Sequence, residues 1–343
     1  MNDFRSDNTC PPATVVLERL QDLLTEGRAP YAEDEITART RDRLRAIFEC
    51  ELEFFPVFTG TAANALAIAQ LSGRFGEVIC HRSSHIFADE CGAVEFHAGA
   101  RLCPVAGRQG KLSPQTIPPL RDNGDVHRGK PTVLSLSQST ETGLAYRSGE
   151  IALLSERARS AGLRVHMDGT RFANALAFTG AAPADLSWRA GVDVLCLGAT
   201  KGGAIGAEAV IFFRSADACE FRRMMKRSGH LGARMWFLSA QIDAWLDGDF
   251  WLRSAGHANA MAALLDRTLR AGGIDPLYPV EANMVFVAMS RAQSDRLADA
   301  GFAHYFIEQH GDPDAARMVT SHDTTPSEVE ALAVAVRECV SGS

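Results

Sequence analysis

The chain has 343 residues, of which 46% are hydrophobic and 22% charged, and carries a formal net charge of −7. That length and apolar content support one large domain plus a smaller one, and exclude a disordered, fibrous or miniature scaffold. The acidic balance gives no basic footprint for phosphate backbones, so nucleic acid is not an expected partner.

The opening MNDFRSDNTCPPATVV lacks the basic segment and apolar run of a signal peptide, and no later stretch has the apolar length to span a bilayer. A cytoplasmic protein without membrane contact is expected. Cys10, Cys50, Cys80, Cys91, Cys103, Cys196, Cys219 and Cys339 form neither CxxC pairs nor a dense disulfide framework, and read as small apolar residues.

After an extended N-terminal arm (1–15), apolar residues at helical spacing predict helices over 13–27 and 37–48. A strand then leads into Thr59-Gly60-Thr61, and 62–71 follows as helix because it holds helix formers without Pro or Gly. Short apolar runs at 77–80, 101–105, 132–136, 164–167, 192–196 and 209–213 read as strands, with helices between several of them, such as 148–161. This alternation predicts an α/β large domain with a mostly parallel sheet covered on both faces. The pattern breaks at Asp247-Gly248-Asp249. A long helix over 250–271, a strand over 284–289, a helix over 290–300, a strand over 317–320 and a closing helix over 326–339 predict a small α+β C-terminal domain. The expected division is 1–249 and 250–343.

Asp168, in Val165-His166-Met167-Asp168-Gly169-Thr170-Arg171, stands at the end of an apolar strand, where ligands gather in open α/β sheets. Lys201, in Gly198-Ala199-Thr200-Lys201-Gly202-Gly203, stands just beyond another. An acid that keeps a pyridine nitrogen protonated and a lysine that forms a Schiff base are what pyridoxal 5'-phosphate requires. Alone, each is an ordinary turn acid or loop cation. The small-residue turn Thr59-Gly60-Thr61-Ala62-Ala63-Asn64 offers free amides and a helix dipole to a phosphate. His85 follows a strand end and is placed to stack on the ring. His81 and His85 have the four-residue spacing of zinc-binding helices, but no HExxH glutamate or third ligand accompanies them, so no metal is expected. The glycines of 198–206 lack the strand spacing and ribose acid of a dinucleotide fingerprint.

Together these residues resemble the fold type I pyridoxal-phosphate enzymes, and more narrowly the L-threonine aldolase family. The resemblance spans nearly the whole chain: Phe4-Arg5-Ser6-Asp7-Asn8-Thr9, Tyr31-Ala32-Glu33-Asp34, Gly60-Thr61, Ser84-His85-Ile86-Phe87, 166–171, Thr200-Lys201-Gly202 and Arg317-Met318-Val319-Thr320 follow the family's order. It implies Lys201 as the Schiff-base lysine, with Thr200 beside it, Asp168 on the pyridine nitrogen, His85 stacked on the ring, and Gly60 with Thr61 at the phosphate. It implies Ser6, Arg171 and Arg317 on the substrate carboxylate, for which the guanidinium fork is suited. Arg227 and Arg234 match a basic glycine-rich element that helps bind phosphate, partly from a neighbouring subunit, so a homodimer or homotetramer with shared active sites is implied. His127 aligns with a second histidine near the substrate hydroxyl, and it or His85 is the expected base.

The implied activity is cleavage of a β-hydroxy-α-amino acid (threonine, allo-threonine or phenylserine type) to glycine and an aldehyde. Thr170 stands where the family has alanine, Ala32 where it has glycine, Arg227 where it has lysine, and 137–143 departs from the family's glutamate-asparagine-threonine-histidine segment. β-Elimination or transamination on the same cofactor, and a catalytically silent binding protein of the same fold, are the alternative readings.

Overall fold

A computed structural model describes residues 2–117, 124–308 and 313–341. The strands in chain order are β1 (Asn2–Asp3), β2 (Glu53–Val57), β3 (Gly76–His81), β4 (Arg101–Val105), β5 (Lys130–Ser137), β6 (Arg164–Gly169), β7 (Val194–Gly198), β8 (Glu208–Phe212), β9 (Met284–Ala288), β10 (Phe302–Ala303), β11 (Tyr305–Ile307) and β12 (Ala315–Val319). The main sheet has the order β2-β8-β7-β6-β5-β3-β4. Neighbours from β7 to β4 are parallel, and only β8 runs against its neighbours β7 and β2. This is the α/β architecture that the strand and helix alternation implies.

The central strands are apolar because helices cover both faces, which removes the in-out alternation of a half-exposed strand. Every residue of β8 is buried, as are the last five of β6. The main core gathers Phe48, Leu134, Val165, Phe172, Leu195, Phe212, Trp245 and Trp251. A second core, with Leu265, Val285, Met318 and Leu332, lies under the small antiparallel sheet β11-β12-β9.

Two features link the cores. Helix Phe250–Ala271 buries Trp251 and Ala255 in the first and Ala262, Leu265 and Leu269 in the second. Phe4 of the N-terminal arm packs in the second core, and β1 pairs in parallel with β10. The arm is thereby held across the sheet's carboxyl edge. Helix Trp236–Leu246 is buried along its whole length, so its sequence shows no polar face.

Phe172 opens helix Phe172–Thr179 directly after Arg171, and its fully buried ring lies 6.1 Å from that of Phe48. Phe172→Ala is expected to lower the unfolding free energy by about 3–5 kcal/mol through lost burial and a cavity. Urea denaturation of both proteins checks this.

Candidate active site

Ser137 of β5 faces Asp168 of β6, and Asp168 faces Cys196 of β7, so three parallel strands end together. Asp168 is buried there, and the departure at Thr170 acquires a use. The Thr170 hydroxyl donates to Asp168 Oδ1 at 2.7 Å and its amide does so at 3.1 Å. Burial pushes the Asp168 carboxyl up, but the Thr170 hydrogen bond and the nearby His85 and His166 outweigh it and hold the group below the usual carboxylate range.

The other oxygen of Asp168 accepts from Asn64 Nδ2 at 3.1 Å, and the same amide donates to Glu90 Oε1 at 2.9 Å. Glu90 Oε1 in turn lies 2.8 Å from His85 Nδ1. The hydrogen bond to Glu90 raises the His85 pKa and fixes which ring nitrogen faces away from the protein. Glu90 is missing from the sequence-predicted site, and Asn64 entered it only as the last residue of the phosphate turn. An acid five residues after a histidine has no distinctive spacing, and only folding buries it against the imidazole.

Lys201 lies in a short turn, Thr200–Gly202, beyond β7. Its Nζ makes no hydrogen bond among the described residues, and burial, followed by the charge of Arg171, lowers its pKa. That favours the neutral, nucleophilic amine. The turn is held from below: Glu208 Oε2 accepts from the Ala199 amide at 2.9 Å, and the Gly202 carbonyl accepts from Trp245 Nε1 at 3.2 Å. Thr200 spends its hydroxyl on Ala207, accepting from that amide at 3.1 Å. Glu208 is a second acid that sequence reading misses, because it sits within an apolar strand.

Arg171 and Asp7 form a buried pair, with Nε to Oδ2 at 2.8 Å and Nη2 to Oδ1 at 3.0 Å. Asn283 donates to the same Asp7 at 3.0 Å. Arg171 Nη1 makes no hydrogen bond among the described residues. Ser6 stands next to Asp7 and caps the short 3₁₀ turn Asp7–Thr9 through the Asn8 amide at 3.2 Å. Arg317, on β12, stacks over Tyr305 at 5.1 Å and donates through Nη2 to the Arg5 carbonyl at 3.3 Å. Its Nε is buried without a partner. Gly60 and Thr61 open helix Gly60–Ser72, which Thr59 caps by accepting from Ala62 N. A side chain at Gly60 would come no nearer to protein than 3.8 Å from Thr170 Oγ1, so neighbouring residues do not fill the space above it.

The fold therefore brings together Asp168, Lys201, Thr200, His85, Arg171, Ser6 and, from the small antiparallel sheet, Arg317. His127 is a correction. It lies in an exposed turn three residues before β5 begins, with its amide on Asp125 Oδ1 at 3.0 Å. The site is at the other end of that eight-residue strand, about 25 Å away at the usual rise. His127 cannot act at the Lys201 of its own chain. Arg227 and Arg234 are exposed and make no ion pair among the described residues, and Arg234 lines a separate surface cleft with Arg28, Trp236 and Phe237.

His81 and His85 turn to different partners, Ser83 with Gly107 and Glu90. One group of the described residues, Cys10, His322 and Asp323, brings possible ligand atoms within 4.8 Å of each other. Burial, then the charges of Asp323 and Asp7, pushes the Cys10 thiol up to about 12. All eight cysteines are free.

The residues present fit pyridoxal phosphate: a buried carboxylate, a desolvated amine, the Gly60 and Thr61 amides that the Thr59 cap does not reach, and buried polar atoms without partners, namely Asn64 Oδ1 and Arg317 Nε. Two predictions follow from how the lysine turn is supported. A methyl group at Gly202 would collide with the Trp245 indole, so Gly202→Ala is expected to cost about 1–3 kcal/mol, read by thermal unfolding. Burial raises the Glu208 pKa from 4.5 to about 7, so the folded chain holds a proton that the unfolded chain has released, and stability falls as pH rises through that window. Glu208→Gln keeps an acceptor for Ala199 and is expected to flatten that part of the stability profile, measured by denaturation between pH 4.5 and 8.

A family model described as Beta-eliminating lyase matches residues 3–292. The chain is 40% identical over 345 residues to the low specificity L-threonine aldolase of Pseudomonas sp. (strain NCIMB 10558), with 98% of each chain covered. It is also 40% identical over 341 residues to the enzyme of that description from Pseudomonas aeruginosa, covering 97% of this chain and 96% of the relative. The solved structure of Leishmania major threonine aldolase superposes with a TM-score of 0.92 at 26% identity, covering 99% of this chain and all of that one. The motifs, the strand-end geometry and these full-length similarities agree, and the chain belongs to the Beta-eliminating lyase family, in its L-threonine aldolase branch.

Proposed function

We propose that this chain is a pyridoxal 5'-phosphate lyase that cleaves β-hydroxy-α-amino acids between Cα and Cβ, releasing glycine and an aldehyde. The observation that carries the reading is the pairing of a half-buried, deprotonation-prone Lys201 with a buried, ionised Asp168 at adjacent strand ends, beside two arginines with unused donors. When bound, the cofactor supplies a conjugated ring that accepts the electron pair left on Cα.

The chain's own residues do the rest. Lys201 would hold the cofactor through its amine. Asp168, which stays charged, would keep a proton on the cofactor's ring nitrogen. Arg171 is oriented by Asp7 so that Nη1 receives the substrate carboxylate, with Ser6 beside it and Arg317 offering Nε from the opposite domain. His85, oriented by Glu90 through Nδ1, would stack on the ring and leave Nε2 free. The amides of Gly60 and Thr61 take the phosphate. Arg227 and Arg234 complete that phosphate site between neighbouring subunits of a homodimer or homotetramer, which their exposure permits. No helix among the described residues is long and apolar enough to cross a membrane, and a cytoplasmic location is part of this proposal.

The test is a panel of threonine, allo-threonine and phenylserine isomers incubated with cofactor-loaded enzyme and assayed for glycine and aldehyde. Wild type is expected to release both in equal amounts, and Lys201→Ala neither above background. Release of a keto acid and ammonia, or a need for an amino acceptor, would replace cleavage by elimination or transamination.

A further inference from the structure

Glu141 enters the site on the segment that departs from the family pattern. It follows β5 on a loop that starts against the site: the Gln138 amide donates to the Asp168 carbonyl at 2.7 Å. The loop then closes on itself. Thr140 N donates to the Leu144 carbonyl at 2.9 Å, Leu144 N donates to Thr140 Oγ1 at 3.1 Å, and Gly143 turns with φ 85°.

Its neighbours are committed to holding that shape. The Gln138 side chain bonds the Tyr146 backbone twice, and the Thr142 hydroxyl donates to the Gln109 carbonyl at 2.7 Å. The Glu141 carboxyl, by contrast, makes no hydrogen bond or ion pair among the described residues. It lies instead in the field of Arg171, Lys201, Asp168 and His85, and itself acts on Arg317. Burial raises its pKa more than those cations lower it. A half-buried acid without a hydrogen-bond partner, set among these charged groups at the edge of a cleft, is poorly explained as a structural element, since the cost of its partial burial is only partly offset by the cations.

The cleft it lines shows what it would meet. A space of ≈ 620 Å³ opens from Arg317 and Glu141 past Phe87, Tyr278, Phe286 and Ile307. With the substrate carboxylate on Arg171 and Arg317 and its nitrogen at Lys201, this cleft is the space open to the side-chain substituent of Cα. That substituent carries the β-hydroxyl.

We propose that Glu141 is a further catalytic residue, the carboxylate that accepts the β-hydroxyl proton as the Cα–Cβ bond breaks. This rests on the retro-aldol reading above. The hydroxyl proton passes to a Glu141 oxygen and the O–H electron pair becomes the second bond of the aldehyde carbonyl. The Cα–Cβ pair stays with the glycine fragment. His127 is too distant for this task, and the Glu90 hydrogen bond raises the His85 pKa, which favours the imidazolium over the free base. A carboxylate whose proton affinity is raised toward the working pH is well matched to such a transfer.

Glu141→Gln in the cofactor-loaded enzyme tests the role, with two readouts. Cleavage of phenylserine and threonine needs the hydroxyl proton to leave, whereas exchange of the glycine α-proton with deuterated solvent uses the same lysine, cofactor and arginines but no hydroxyl. Cleavage is expected to fall about 10²- to 10⁴-fold, with exchange and cofactor absorbance within about 3-fold of wild type. Glu141→Asp should recover part of the loss, and the acid limb of the wild-type kcat profile should vanish in the glutamine variant. Cleavage retained within about 3-fold, or cleavage and exchange lost in parallel, overturns the assignment. A wild-type enzyme that exchanges glycine but cleaves no β-hydroxy amino acid would instead sink the retro-aldol reading, and this role with it.

Discussion

The buried Arg171–Asp7 pair holds the site together. Asp7 comes from the N-terminal arm and Arg171 from the end of β6, while Asn283, just before β9, donates to the same carboxylate and to the Thr320 carbonyl at 2.7 Å. Three regions separated by well over a hundred residues meet on one acid. Taking both charges out of water is costly, and the pair is tolerated because two bonds from one guanidinium and one from an amide meet the carboxylate. Loss of either partner would strand the other, a penalty of about 3–5 kcal/mol. The pairing also sets direction. With Nε and Nη2 spent on Asp7, Nη1 of Arg171 is left without a hydrogen bond among the described residues, and the guanidinium lies close enough to Lys201 to lower its pKa.

Around this pair the electrostatics diverge in a useful way. Asp168 and Lys201 are both deeply placed, yet Asp168 stays acidic because Thr170 and nearby histidines favour its anion, while Lys201 loses proton affinity because burial and Arg171 disfavour its cation. The polar relay Asp168–Asn64–Glu90–His85 passes from the sheet to the imidazole through hydrogen bonds of 2.8–3.1 Å. One amide bridges two acids that would otherwise repel each other.

The departures from the family pattern sort themselves by location. Ala32 adopts φ 65°, the left-handed region where the family's glycine is unstrained, and lies at the surface end of the Tyr31–Asp34 element rather than in the site. Thr170 adds a hydroxyl bond to the very carboxylate that the chemistry depends on. The 137–143 segment, where the sequence differs from the family's glutamate-asparagine-threonine-histidine pattern, ends in a self-bonded loop that carries Glu141.

Much of the fold was legible in the chain itself. Buried parallel strands must be apolar and must be separated by helices, so the runs ending at Asp168 and before Lys201 could be recognised, and strand ends are where open α/β sheets bind ligands. Ordered short motifs made Lys201, Asp168, His85, Arg171 and Arg317 members of one site before any coordinates. Helix Trp236–Leu246 left no periodic trace because it is buried on every side. Glu90, Glu208 and Asn283 were invisible because a polar residue's role comes from what is packed against it. His127 was misplaced for the complementary reason: it lies ten residues before the strand end in sequence, and an extended strand converts that separation into the full depth of the sheet. Sequence alone determined which chemical groups the chain carries and on which kinds of element, since local patterning depends on neighbours in the chain. Tertiary structure alone decided which groups meet and how they titrate, since burial and charge pairing arise between segments far apart along it.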